Sequence, residues 1–150
     1  MGKTKENLQE AFSGESQAYQ RYLAFAQRAA DEYKEGVYKL FIAVAESEKI
    51  HAKRQLGHLK AVNETAQNLK EAISGETHEF MTLYPRMMKE AEEEGEQGAV
   101  ITFDHSRQVE SYHRALFVEA LKNPEGFPVQ DYFICKACGY LTTEKSPERC

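Results

Sequence analysis

The sequence predicts an all-α protein: a four-helix bundle with a long connection between its two helix pairs, followed by a small cysteine-bearing segment. Two observations predict it. Apolar residues recur at three- and four-residue steps through four stretches of near 25 residues each, or roughly 35–40 Å of helix, an ordinary bundle length. In addition, the first half of the chain repeats in the second: residues 11–16 read Ala-Phe-Ser-Gly-Glu-Ser and residues 72–77 read Ala-Ile-Ser-Gly-Glu-Thr.

The elements follow in order. Over 4–32 the periodic residues are Leu8, Phe12, Tyr19, Tyr22, Phe25, Ala26 and Ala29, and Gly36 lies at the next break. A second helix is expected over 36–63, with Val37, Leu40, Phe41, Val44, Glu48, His51 and Leu59 broadly on one face. The polar stretch 63–68 reads as a connector, with a short helical piece at 69–73 inside a link spanning 59–74. A third helix is expected over 75–94. Pro85 sits inside it, where it should kink the helix or delete a hydrogen bond. The acidic run 90–94, broken by Ala91 and closed by Gly95, reads as a solvated helix end. The fourth helix covers 97–121, and Asn123-Pro124-Glu125-Gly126-Phe127-Pro128 stops it. The expected domains are therefore 1–126, the bundle, and 127–150, the cysteine segment.

Composition narrows the function classes. With 150 residues the chain can bury one substantial core plus a small appendage. Its formal net charge is −5 with acids and bases interspersed, which argues against a nucleic-acid partner. There is no apolar run of about 18 residues, so no membrane span is expected. The N-terminal residues carry no apolar stretch of a secretory signal, and a cytoplasmic location is expected. All three cysteines follow residue 134, and Cys135-Lys-Ala-Cys138 reads as a metal or redox motif rather than a disulfide framework.

Chemistry is concentrated in the repeat. Glu15 and Glu76 lie 61 residues apart; Glu48-Lys-Ile-His51 and Glu110-Ser-Tyr-His113 lie 62 apart. Positions i and i+3 share a helix face, so each Glu-x-x-His can present both side chains to one small volume. Two carboxylate helices and two carboxylate–imidazole helices supply about six ligands, the pattern that holds a pair of metal ions within a helical bundle. Carboxylates bridge cations and offset their charge, and an imidazole caps each metal. This oxygen-rich set suits iron or manganese. Placement strengthens the reading: Glu15, Glu48 and Glu110 sit on stripes otherwise filled by Phe, Tyr, Leu and Ala, where an uncompensated carboxylate would be costly or protonated. The same ligands would also serve a protein that oxidises and binds iron, or a non-catalytic site for zinc or mixed metals.

With these motifs the chain resembles the rubrerythrins, ferritin-like non-haem di-iron proteins. The matching residues are Gly14-Glu15-Ser16-Gln17-Ala18 with Tyr22, Glu48-x-x-His51, Gly75-Glu76-x-x-Glu79 with Tyr84-Pro85, Glu110-x-x-His113, and Cys135-x-x-Cys138-Gly139-Tyr140. The resemblance covers essentially the whole chain. It implies two iron ions, bridged by Glu48 and Glu110. Glu15 would be terminal on one iron, with Glu76 and His113 on the other. Glu79, whose counterpart in the first half is Ala18, would be an added carboxylate that exchanges with His51 as the redox state changes. Tyr22 and Tyr84 match tyrosines beside the cluster; His58, His78 and His105 match no ligand.

The activity implied is peroxidase chemistry: reduction of hydrogen peroxide to water in oxidative-stress defence. Electrons would come through a rubredoxin-type iron, from a rubredoxin partner and a pyridine-nucleotide-dependent reductase. A homodimer is implied, in some relatives with helix pairs exchanged between chains. The cysteines depart from the family. A rubredoxin-type site needs two Cys-x-x-Cys knuckles, and here Cys150 stands as the first cysteine of a second knuckle that the sequence does not complete. The reading is of a segment cut short, which would hold iron or zinc through Cys135, Cys138 and Cys150 only with a fourth ligand.

Overall fold

The structure, a computed structural model, describes residues 2–144; Cys150 and the rest of 145–150 lie outside them. The chain divides into two compact units, residues 1–63 and 64–150.

The first unit is a helix pair. Helix α1 (Lys3–Asp31) carries Glu6 in its first turn and Arg28 in its last, each complementing the helix dipole. Its C-terminus closes with Tyr33 N–H on the Ala30 carbonyl (2.9 Å) and Lys34 N–H on the Ala29 carbonyl (2.8 Å), and Tyr33 takes φ 57°. That left-handed residue turns the chain straight into α2 (Glu35–His58), which packs along α1. The buried residues of the pair are all alanines: Ala26 and Ala29 on α1, Ala45 and Ala52 on α2. Small side chains let the two helices approach closely.

The second unit holds α3 (Thr65–His78), a π-helical segment (Glu79–Leu83), α4 (Tyr84–Glu94) and α5 (Gln97–Lys122). Both α3 and α4 pack on α5, around the buried Ala91, Val100 and Val109. Gly95, at φ 76°, ends α4 in the left-handed conformation, as the acidic run closed by glycine implied. Beyond α5 a two-stranded antiparallel ribbon pairs β1 (Phe133–Ile134) with β2 (Leu141–Thr142), in register Phe133 with Thr142 and Ile134 with Leu141. Between the strands Cys135 N–H donates to the Tyr140 carbonyl (2.8 Å), and Gly139 N–H, at φ 78°, donates to the Cys135 carbonyl (2.9 Å). Cys135 and Cys138 therefore sit on one tight knuckle.

Three expectations are revised. Helix α2 ends at His58, not 63, because the chain turns at Lys60 (φ 54°). Helix α3 begins at Thr65, ten residues before the expected start at 75, and absorbs the piece at 69–73. The polar run and Gly75 suggested a break, yet glycine costs a helix interior only about 1 kcal/mol, and half-buried Leu69 and Ile73 hold the helix through it. Val37 and Leu40, expected on the packed face of α2, are 43% and 61% exposed.

Candidate metal centre

In the first unit, α1 carries Glu15 and α2 carries Glu48 and His51. The His51 Nδ1 atom lies 2.9 Å from Glu48 Oε2 and 3.8 Å from Glu15 Oε1. In the second, α3 carries Glu76 and α5 carries Glu110 and His113. The His113 Nδ1 atom lies 2.9 Å from Glu110 Oε2 and 3.8 Å from Glu76 Oε1. The same triad is thus built twice, at the same distances. Within each, one donor atom per residue falls inside a 4.8 Å cluster. In both, Nδ1 is the ring nitrogen turned toward the carboxylates.

Burial and charge separate the two. The side chains of Glu76 and Glu110 are 18% and 16% exposed, and Glu76 Oε2 is buried with no hydrogen-bond partner among the described residues. Burial, then the negative charges of Glu110 and Glu79, push the Glu76 carboxyl up to about 7. An orphaned carboxylate oxygen among three acids is a group that a cation would satisfy. The oxygen-rich, thiolate-free donor set suits hard or borderline divalent ions such as iron or manganese. His113 also borders an apolar pocket of about 580 Å³ lined by Leu69, Leu116, Phe117 and Phe127.

The remaining expected residues fall as follows. Glu79 is half-buried at the start of the π-helical segment, and its charge reaches both Glu76 and Tyr84. The Tyr84 phenol is raised above its ordinary value, first by burial and then by the charges of Glu110, Glu79 and Glu76, while a hydrogen bond with Ser106 opposes the rise. Tyr22 packs in an aromatic group with Phe25 and Phe41, ring centres 6.1 and 6.2 Å away. His58, His78 and His105 are exposed and join neither triad. Cys135 and Cys138 lie on the knuckle, half-buried; Cys150 is outside the described residues.

Sequence reasoning missed Ser106, Arg107 and Arg114. Arg114 Nε donates to Thr77 Oγ1 at 3.0 Å, tying α5 to the turn after Glu76. Arg107 Nε donates to the Phe80 carbonyl at 3.3 Å. Both contacts are tertiary, and the one hint in the sequence was Pro85, which removes a donor from this stretch.

This chain is similar to known proteins. The rubrerythrin family model matches residues 6–121. Rubrerythrin of Porphyromonas gingivalis is 35% identical over 99% of this chain and 84% of its own length. Rubrerythrin-2 of Clostridium acetobutylicum is 31% identical over 98% of this chain and 89% of its own. The solved structure of nigerythrin in its fully reduced, all-ferrous state superposes with a TM-score of 0.56 at 28% identity, covering 100% of this chain and 81% of that one. The fold is the all-α, ferritin-like one, and its two carboxylate–histidine triads are of the kind that suits a di-iron centre: the chain belongs to the rubrerythrin family.

Proposed function

We propose that this chain is a non-haem di-iron peroxidase that reduces hydrogen peroxide to water. The observation that carries the reading is the doubled triad, with a third carboxylate, Glu79, beside one copy only. We assign Glu15, Glu48, His51, Glu76, Glu79, Glu110 and His113 as the residues that would hold one pair of iron ions. When bound, the pair supplies Lewis acidity and the two electrons that peroxide reduction consumes.

The residues of the chain do the rest. The carboxylates of Glu15, Glu48, Glu76, Glu79 and Glu110 offset the charge of two divalent ions, so the centre stays near neutral in a partly buried site. Glu79 would offer an anionic group to offset added positive charge at the site, which the neutral His51 imidazole would offset less well. Tyr84 keeps its phenol proton, because burial and then the surrounding carboxylates oppose ionisation, and stands as a hydrogen-bond donor at the edge of the site. Tyr22 takes the corresponding place after Glu15. Two protons must reach the oxygens as two water molecules form.

The same reading includes return of electrons through a rubredoxin-type iron, from rubredoxin and a pyridine-nucleotide-dependent reductase, with the knuckle of Cys135 and Cys138 as its local trace. It also includes a cytoplasmic location and a homodimer. Each helix pair carries one carboxylate and one Glu-x-x-His, so pairs exchanged between two copies would still supply full ligand sets. Among the described residues no helix is long and apolar enough to cross a membrane.

Two measurements test the proposal. Anaerobic metal analysis should find two irons per chain, and a steady-state assay with peroxide, reductase and rubredoxin should show turnover. Oxygen-dependent iron oxidation without peroxide turnover would favour a ferritin-type role instead, and a single zinc would favour a structural one.

A further inference from the structure

The repeat changes register by one residue, and the structure locates the change. Glu15 and Tyr22 lie seven residues apart on the unbroken α1; Glu76 and Tyr84 lie eight apart. In a regular α-helix, seven residues come back within about 20° of the starting face, whereas eight overshoot by about 80°. The π-helical segment Glu79–Leu83 lies between Glu76 and Tyr84. A π-turn takes up one residue without advancing the face, which returns Tyr84 to the carboxylates: the charges of Glu110, Glu79 and Glu76 all act on its phenol.

This register leaves one backbone group to be satisfied. The Tyr84 N–H donates five residues back, to the Glu79 carbonyl. The next donor in that register would be residue 85, serving the Phe80 carbonyl, and residue 85 is proline. Arg107, reaching across from α5, donates its Nε–H to that same Phe80 carbonyl at 3.3 Å. Its guanidinium carbon also lies 5.0 Å from the centre of the Phe80 ring, so one side chain holds both the carbonyl and the aromatic face of this residue.

We propose that Arg107 is a positioning residue: it supplies at the Phe80 carbonyl the donor that Pro85 lacks, and so pins the π register that keeps Glu79 and Tyr84 beside Glu76 and Glu110. The effect on metal binding rests on the di-iron reading above; the effect on the backbone does not.

The test uses the full chain as wild type, Arg107→Met, Pro85→Ala and the double variant. Each is examined metal-free by amide hydrogen exchange over 79–84, then titrated anaerobically with Co(II). Arg107→Met should exchange about tenfold faster in this segment and bind the weaker of two Co(II) ions about tenfold less tightly, the scale of one lost hydrogen bond. In the Pro85→Ala background an amide again faces the Phe80 carbonyl, so loss of Arg107 should change either quantity less than threefold. Unchanged exchange in Arg107→Met, or equal losses with and without Pro85, would overturn the proposal, since general packing by Arg107 does not depend on that amide. Should Arg107→Met alone not fold, comparison of Pro85→Ala with the double variant decides: near-equal exchange supports the inference and a tenfold gap refutes it. Should wild type fail to bind two Co(II) ions, the di-iron reading falls, while the exchange data still judge Arg107.

Discussion

In the first helix pair the carboxylate and tyrosine of α1 share an uninterrupted helix; in the second a π-helical turn separates the corresponding residues. Both pairs hold the histidine Nδ1 at 2.9 Å from one carboxylate and 3.8 Å from another. Their surroundings differ. His51 is 48% exposed and has two acids near it, whereas His113 is 28% exposed and its triad is joined by Glu79. The lesson is that a doubled ligand pattern need not mean doubled electrostatics. One triad is the more open, with His51 48% exposed; the other is more buried and gathers a third carboxylate, Glu79, around Glu76. There a cation would bring the larger relief, since it would offset the charges gathered around Glu76.

Removing Glu48 or Glu110 should erase the distinction altogether. Glu48→Ala and Glu110→Ala should each abolish two-metal occupancy in anaerobic metal analysis, despite lying in different helix pairs. If both variants kept two tightly bound metals, the shared centre would be the wrong description. A smaller effect separates the cores. Val109→Ala, in the second unit, should cost about 2 kcal/mol of stability through lost burial and a cavity. Ala45→Leu, in the alanine seam of the first, should cost about 1–3 kcal/mol by overpacking. Denaturant titration of the metal-free protein reads both, and a neutral Ala45→Leu would mean the seam is looser than its 0% exposure indicates.

Glu79→Ala makes the second half resemble the first, where Ala18 stands at the matching position. It should retain both metals yet slow peroxide turnover on the order of tenfold, about 1.4 kcal/mol of barrier. Unchanged turnover would remove Glu79 from the reaction. The finest contrast is in pH. Glu76 holds its proton to about 7 in the fold against an ordinary value of 4.5. Between these values the folded state binds more protons than the unfolded, so metal-free stability should fall as pH rises from 4.5 through 7. Glu76→Gln should flatten that slope; stability curves of the two proteins at several pH values check it, and an unchanged slope would contradict the assignment.

Most of the architecture was legible in the sequence because it rests on local rules. The three- and four-residue apolar period marks α1 and α5 nearly to their ends, and i,i+3 spacing alone brings Glu48 to His51 and Glu110 to His113. Glu15 and Glu76 were legible through the repeat. What escaped depends on tertiary contact or hydrogen-bond register. The start of α3 at Thr65 is held by Leu69 and Ile73 against the local signal of a polar run and Gly75. The π-turn has no hydrophobic period of its own; its traces were Pro85 and the slip of the repeat from 61 to 62 residues. Arg107 was invisible because the carbonyl it serves belongs to a residue 27 positions away.

The central claim is that both triads serve one pair of iron ions rather than one ion each. Mössbauer spectroscopy in an applied field, on protein reconstituted anaerobically with ferrous iron and then oxidised with one equivalent of peroxide, tests it most directly. The account predicts two ferric ions per chain, spin-coupled to a diamagnetic ground state. Uncoupled paramagnetic ferric spectra at the same stoichiometry would mean two separate mononuclear sites and would contradict it.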